Sequence, residues 1–321
     1  MLTDAFHKRY PHRFFFGDGF QNEIRRLLSQ AGQIIAQDLF PLIPIKDKLY
    51  QDAHDKLSRE YGIGVLGEGK TYEEICLRLI FEAYDLWNNR HGDHDYFCKM
   101  RIGLIELLFR GAEEYLRKEH KSNDLGILTS ILSKRTKPKS KCAAEKALES
   151  YMEAVNELNL RFREANMPFS YHNGYIQLVE DELTQKEVEE PFWNLVSDAK
   201  WENVDYEMKE AIDRRDAGKE DAITFALKAL ESAIKIISED NSWTTGREKG
   251  ASNYLENLVS EKNGRFVDVW EAEAMKYLFT TLRNPRSHGS GSSRRPETHD
   301  QQRAWAIESC MSWIKSLIKR K

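Results

Sequence analysis

The chain has 321 residues, 40% of them apolar and 11% aromatic, which suffices for a buried core and about two domains. Charged residues make up 31% of it, and no apolar stretch approaches the roughly 18 residues of a membrane span. The N-terminus lacks the apolar core of a secretion signal, so we expect a cytoplasmic protein that does not enter a membrane.

The net charge of −4 is unevenly distributed along the chain. Residues 280–321 carry nine Arg or Lys against three acidic residues, a charge of +6, which leaves −10 for residues 1–279. A basic end on an acidic body suits a polyanionic ligand, although a solvated helix end has the same composition. The four cysteines show no Cys-x-x-Cys spacing, so we expect reduced, mostly buried thiols and no zinc knuckle.

The first third of the chain has the apolar spacing of helices. Apolar residues recur at intervals of three and four along two stretches, 27–39 and 100–115. Two irregular connections interrupt the pattern, at Pro41–Pro44 and at the glycine-rich residues 61–69. We therefore predict a helical N-terminal domain over residues 1–132.

Residues 133–190 differ in composition. Five positive charges between Lys134 and Lys141 surround a proline, which is typical of a linker, with nucleic-acid contact as an alternative. A polar helix is predicted over 143–165. Asn173-Gly174 between aromatic and β-branched residues then predicts a short β-hairpin near 169–179.

From residue 191 to 321 the pattern is helical again. Helices are predicted near 205–215, 220–238, 248–260, 266–283 and 299–319. The last of these carries an apolar stripe that is typical of core or of a dimer contact: Ala304, Ile307, Met311, Ile314, Leu317 and Ile318. The predicted fold class is therefore mainly α, with one hairpin.

Residues Gly64–Thr71 match the pattern of a phosphate-binding loop, including Lys70 and Thr71. Such a loop requires a buried strand before it, whereas residues 49–61 have helical spacing, and no downstream strand ends in the Asp of a magnesium site. A glycine loop leading into a helix is the favoured interpretation. A nucleotide-dependent switch at Lys70 and Thr71 stays open as a third functional hypothesis.

Two imidazoles and two carboxylates gather in the sequence His91-Gly92-Asp93-His94-Asp95. These are metal-ligand types, but no third distant ligand is identifiable, so a polar loop between helices is favoured. We expect no metal and no cofactor.

The sequence Arg283-Asn284-Pro285-Arg286-Ser287-His288 offers acid-base chemistry beside a phosphate-binding cation. A histidine exchanges protons at neutral pH, and an arginine holds a phosphate together with its transition-state charge. RNA brings its own nucleophile, the 2′-hydroxyl, so these groups suffice for cleavage without metal. Spacing alone is not specific, because Arg294 and His299 repeat it.

The C-terminal region, residues 190–321, resembles the HEPN superfamily, in particular the C-terminal domains of abortive-infection proteins. Residues 226–235 look like the first core helix of such domains, and Arg283-Asn284 with His288 looks like their catalytic motif. Phe6–Tyr10 and the helical segment to about residue 130 are similar, more weakly, to the AbiJ-type N-terminal domain that is fused to such modules.

The resemblance implies a helical bundle that forms a homodimer with both motifs in one cleft, acting as a metal-independent ribonuclease in a toxin or antiphage role. Arg283 and His288 would be catalytic, Asn284 supporting, and Arg286, Arg294 and Arg295 would attract RNA. Whether the chain has a neutralising antitoxin or regulatory partner stays open. Glu231 and Lys235 either line the cleft or form an ordinary i,i+4 salt bridge, which we favour.

The alternative function is a non-catalytic HEPN module that binds RNA, nucleotide or a partner protein as a sensor or scaffold. It predicts saturable binding without turnover, whereas the ribonuclease hypothesis predicts cleavage that depends on His288.

Overall fold

The computed structural model describes residues 5–11, 13, 15–16, 21–82, 94–132, 143–283 and 298–321. Of residues 21, 120–132, 143–144 and 283 it describes the main chain alone. The chain divides into two compact units, Asp4–Gln177 and Leu178–Lys321. In these described ranges, no helix combines the length and the apolar character needed to cross a bilayer.

The first unit is helical, with one hairpin at its end. Its elements are α1 (Phe6–Arg9), α2 (Gln21–Ile34, continuing as a π-helical segment Ile35–Leu39), α3 (Lys46–Tyr61), α4 (Tyr72–Phe81), α5 (His94–Leu132), α6 (Ala143–Glu164), β1 (Phe169–His172) and β2 (Tyr175–Leu178).

The hairpin forms at the predicted place because Asn173 and Gly174 both adopt positive φ, 43° and 93°, as a two-residue turn requires. Its strands pair with each other in a two-stranded sheet. β1 packs against α6, and α6 packs against α2 and α5. Of the predicted segment 133–190, residues up to 177 belong to the first compact unit and residues 178–190 to the second.

A row of buried charges on α5 ties the hairpin to the first unit. Glu106 is fully buried between Arg9 and Arg110, and its Oε2 accepts a hydrogen bond from the Ile176 main-chain N–H at 2.8 Å. Arg110 Nε donates to the Gly174 carbonyl at 2.7 Å. Burial alone would raise the pKa of Glu106. The guanidinium groups of Arg9 and Arg110, with the hydrogen bonds from Arg9 and the Ile176 N–H, hold this pKa below its ordinary value.

The second unit is a helical bundle. Its elements are α7 (Glu182–Thr184, continuing as a π-helical segment Gln185–Glu189), α8 (Glu190–Val196), a 3₁₀ turn (Ala199–Trp201), α9 (Glu202–Asp216), α10 (Ala222–Asp240), α11 (Ala251–Val259), a 3₁₀ turn (Glu261–Asn263), α12 (Val269–Leu278, continuing as a π-helical segment Phe279–Arg283) and α13 (Asp300–Lys319).

Helix α10 lies at the centre of this bundle, between α9 and α13. Leu227, Leu230 and Ile234 of α10 are fully buried, and the stripe predicted on the last helix is core. The five predicted helices agree with α9 to α13 within about three residues when α12 is taken with its π-helical continuation, whereas α7 and α8 have no predicted counterpart. Together with the hairpin, they confirm a mainly α fold.

The thiols of Cys76, Cys98 and Cys310 are buried and form no disulfide with one another, while Cys142 lies outside the described residues. Burial raises the pKa of the Cys76 and Cys310 thiols to about 12. Neither thiol is therefore suited to act as a nucleophile at neutral pH.

Glu189 of the second unit makes stability depend on pH. Burial raises the pKa of Glu189 from 4.5 to about 7, although Arg215 nearby favours the charged form. The folded state thus holds a proton that the unfolded state loses between these pH values, so stability falls as pH rises through that window. We expect Glu189→Gln to raise the free energy of unfolding at pH 8 by up to about 3 kcal/mol and to change it little at pH 4.

This expectation is measured by urea unfolding of the full chain at both pH values, followed by hydrogen exchange in peptides of residues 178–321. Glu187→Gln, an exposed glutamate in the same π-helical segment, is the matched control. Equal effects of Glu189→Gln at pH 4 and pH 8 would contradict the assignment.

Candidate active site

The predicted catalytic sequence begins where a helix ends. Arg283 is the last residue of the π-helical segment that continues α12. Asn284, Arg286, His288, Arg294 and Arg295 lie outside the residues that the structure describes. Their predicted roles therefore stay predictions. The residues on either side of this segment, up to 283 and from 298 onward, are described.

Helix α12 fixes the position of the main chain before residue 284. The Glu271 side chain accepts a hydrogen bond from the Asp268 N–H at 2.9 Å, which fixes the start of the helix. Glu271 also forms a two-point ion pair with Arg320, the C-cap residue of α13, at 2.6 and 2.9 Å. Met275, Leu278 and Phe279 are buried in the bundle core, so the main chain leading to Arg283 is well anchored.

Glu220 anchors Thr298, the first described residue after this segment. Its Oε2 accepts hydrogen bonds from the Thr298 N–H at 3.2 Å and from the Thr298 hydroxyl at 2.7 Å. Arg303, a buried residue of α13, donates to the Thr298 carbonyl at 2.7 Å and lies 3.4 Å from the Glu220 carboxylate. Sequence reasoning missed Glu220, because 78 residues separate it from Thr298.

The histidine of the second Arg-to-His pair lies at the start of a helix. His299 is the N-cap residue of α13, and its main-chain N–H donates to the Gln302 side chain at 3.1 Å. It is exposed to solvent. His299 thus provides a matched control for His288, since each histidine follows an arginine at a similar distance.

Glu231 and Lys235 of α10 form the ordinary salt bridge that we favoured. Lys235 Nζ lies 2.9 Å from Glu231 Oε1, one helical turn away. The Lys235 ammonium also faces the Tyr254 ring, 5.6 Å from its centroid. These contacts account for both side chains without a catalytic role.

The Gly64–Thr71 sequence lacks the setting of a phosphate-binding loop. The residues before it form helix α3, which ends at a left-handed Gly62, where such a loop needs a strand. Thr71 caps α4 by accepting a hydrogen bond from the Glu74 N–H at 3.1 Å, and Glu74 in turn accepts from the Lys70 N–H at 2.8 Å. The Thr71 hydroxyl therefore serves the helix start, as in a capping box.

We expect Thr71→Ala to lower the free energy of unfolding by about 1 kcal/mol, through loss of the helix cap. Lys70→Ala, the neighbouring exposed position, should change stability by less than about 0.5 kcal/mol. Titration calorimetry with Mg-ATP measures the competing hypothesis. Saturable binding that Lys70→Ala abolishes would contradict the capping interpretation.

The described part of the His91–Asp95 sequence has a structural role. Asp95 is buried, accepts hydrogen bonds from the N–H groups of Phe15 and Phe16 at 2.9 and 3.3 Å, and pairs with Lys99 at 2.6 Å. A ring nitrogen of His94 lies 3.2 Å from the Phe16 carbonyl oxygen. His91 and Asp93 lie outside the described residues, and within the described part of the chain no group of three or more metal-ligand side chains comes together.

Two protein-family models match the chain, one in its N-terminal part and one in its C-terminal part. The family model described as AbiJ N-terminal domain 4 matches residues 16–194, which is more than half of the chain. The chain belongs to the AbiJ N-terminal domain 4 family. A second model, described as HEPN-like domain, matches residues 202–321.

Both resemblances drawn from the sequence are therefore confirmed. The AbiJ N-terminal domain 4 match extends beyond residue 132 and includes helix α6 and the hairpin. The HEPN-like match runs from the start of α9 to Lys321 and contains the whole Arg283–His288 sequence. No curated protein and no solved structure matches the chain.

Proposed function

We propose that this chain is a metal-independent endoribonuclease whose active site lies on Arg283, Asn284 and His288 of the HEPN-like domain. The observation that carries the proposal is the position of this sequence: it lies within the HEPN-like match and follows directly from helix α12. A basic charge of +6 over residues 280–321 supports a polyanionic substrate.

The chemistry follows from the substrate. A general base removes the proton from a ribose 2′-hydroxyl, and the 2′-oxygen attacks the adjacent phosphorus. The bond to the 5′-oxygen of the next nucleotide breaks, and a general acid protonates that oxygen. The products are a 2′,3′-cyclic phosphate and a 5′-hydroxyl, so no water or metal enters this step.

In this proposal His288 moves the proton and Arg283 stabilises the negative charge that develops on the non-bridging oxygens of the phosphate. Asn284 positions one of these groups, and Arg286, Arg294 and Arg295 attract RNA. One histidine supplies either the base or the acid at a given moment. A homodimer that places two copies of His288 in one cleft would supply both.

The biological role in this proposal is that of a cytoplasmic defence effector or toxin, restrained by the AbiJ N-terminal domain 4 and by a neutralising partner. Growth arrest on induction of the wild-type chain, relieved by His288→Ala, would support this role. Arrest that persists in the variant would separate toxicity from the proposed site.

The test of the activity uses purified full-length protein, single-stranded RNA and an excess of chelator. We expect cleavage of unmodified RNA and none of an RNA of the same sequence that carries 2′-O-methyl groups, because the nucleophile is then blocked. Strict dependence on magnesium would contradict the metal-free mechanism. Saturable binding without turnover would favour the non-catalytic alternative.

A further inference from the structure

Helix α12 carries an aromatic face that the bundle core does not use. Trp270 and Tyr277 are 66% and 63% exposed, whereas Met275 and Leu278 of the same helix are buried. The two rings are seven positions apart in the sequence, about two helical turns, so both lie on one side of α12, about 10 Å apart along its axis. Leaving two large rings in water gives the fold no stability.

This aromatic face runs toward the predicted catalytic sequence. α12 continues into the π-helical segment that ends at Arg283, and Thr280 and Thr281 of that segment are exposed. From Trp270 to Arg283 the helix rises by roughly 20 Å. A strand of nucleic acid on this face would therefore extend to the position of Arg283.

The C-terminal end of α13 brings cationic side chains near the Trp270 end of the face. The Trp270 ring is 6.4 Å from the Trp313 ring of α13, and the neighbouring Glu271 pairs with Arg320. No acidic residue follows Glu308 in the sequence, and of the cations after it Arg320 pairs with Glu271 and Lys321 with Asp240, while Lys319 is exposed. Aromatic rings next to cations form the combination that binds single strands: rings stack with bases, and cations contact phosphates.

We propose that the aromatic face of α12, together with the basic end of α13, is a base-stacking platform for single-stranded RNA. This inference rests on the proposed ribonuclease function and names its substrate class. Unpaired bases stack on Trp270 and Tyr277, and Lys319 holds an adjacent phosphate. Duplex RNA does not use the platform, because its bases already stack on one another.

Charge argues against a second copy of the chain as the occupant of this face. A two-fold contact centred on Trp270 would put the cationic end of α13 of one copy beside that of the other with no anion between them, whereas the proposed catalytic dimer binds RNA between its basic residues. RNA carries the opposite charge. This face is therefore better suited to bind RNA than to bind a second copy of the chain.

The test measures fluorescence anisotropy of a labelled single-stranded RNA with 2′-O-methyl groups on every ribose, which binds but cannot be cleaved. We expect Trp270→Ala and Tyr277→Ala each to weaken its binding to the full-length chain about 5- to 140-fold, the effect of losing one stacked base. Trp270→Phe should keep most of the affinity. Both positions are exposed, so the variants are expected to fold, which a circular-dichroism melt checks.

Two exposed aromatic residues outside α12 are matched controls. Trp305 of α13 and Tyr206 of α9 are 54% and 51% exposed, and their alanine variants should bind within about twofold of wild type. A duplex probe of the same sequence should bind no more weakly to Trp270→Ala than to wild type.

Each other outcome has a defined meaning. If the wild-type chain cleaves RNA and Trp270→Ala binds the probe as tightly as wild type does, the platform is wrong and the ribonuclease proposal stands. If Trp270→Ala turns a dimer into a monomer in sedimentation, the face is a contact between copies and the platform is again wrong. If the wild-type chain neither binds nor cleaves RNA, both proposals fail.

Discussion

RNA cleavage in the presence of chelator should fall about 10²- to 10⁴-fold when His288 is replaced by alanine, the usual contribution of a general acid or base. Arg283→Ala should lower the rate about 10²- to 10³-fold, because it removes a charged donor from the developing phosphorane. Initial rates on a single-stranded RNA at saturating concentration measure both effects. A fall in kcat rather than a rise in KM is expected for groups that act in the transition state.

His299→Ala is the control for this prediction, since His299 follows Arg294 as His288 follows Arg283. It lies at the start of α13 and is exposed, so its loss should leave the cleavage rate within about twofold. Equal activity of the wild type, His288→Ala and Arg283→Ala would remove the proposed site. A large loss in His299→Ala alone would move the site to the second Arg-to-His pair.

Glu106→Gln should destabilise the first unit by about 3–5 kcal/mol, the cost of removing one partner from a buried ion pair. The substitution keeps the shape of the side chain, but it removes the carboxylate charge that the buried Arg9 and Arg110 share. In urea unfolding of the full chain followed by hydrogen exchange, the midpoint for peptides of residues 4–177 should fall by roughly 1–2 M.

Glu114→Gln on the same helix is the matched control, because Glu114 is exposed and its substitution should change stability by less than about 0.5 kcal/mol. Peptides of residues 178–321 should keep their protection in both variants. Equal midpoints for Glu106→Gln and Glu114→Gln would show that the buried charges do not hold the hairpin in place.

Local sequence signals predicted much of the fold. Asn173-Gly174 gave the hairpin correctly because a two-residue turn depends on the conformational freedom of its own residues. Helices α9 to α13 were predicted within a few residues because apolar spacing and caps are also local. The phosphate-loop pattern was rightly disfavoured from the helical spacing before it, and α3 confirms that setting.

Pairing between residues far apart in the sequence could not be predicted from local patterns. Arg9 and Glu106 are 97 residues apart, and no local pattern indicates that two charged side chains will be buried together. The contacts of Glu220 with Thr298 and Arg303 are of the same kind. The spacing of Trp270 and Tyr277 is typical of a buried helix face, so their exposure is visible only once the partners of α12 are known.

The most direct test of the ribonuclease proposal is the chemical identity of the ends that the purified chain leaves on RNA in the presence of chelator. Attack by the 2′-hydroxyl predicts 2′,3′-cyclic phosphate at one end and 5′-hydroxyl at the other, both absent with His288→Ala. Products with 3′-hydroxyl and 5′-phosphate ends, formed only when magnesium is added, would contradict it.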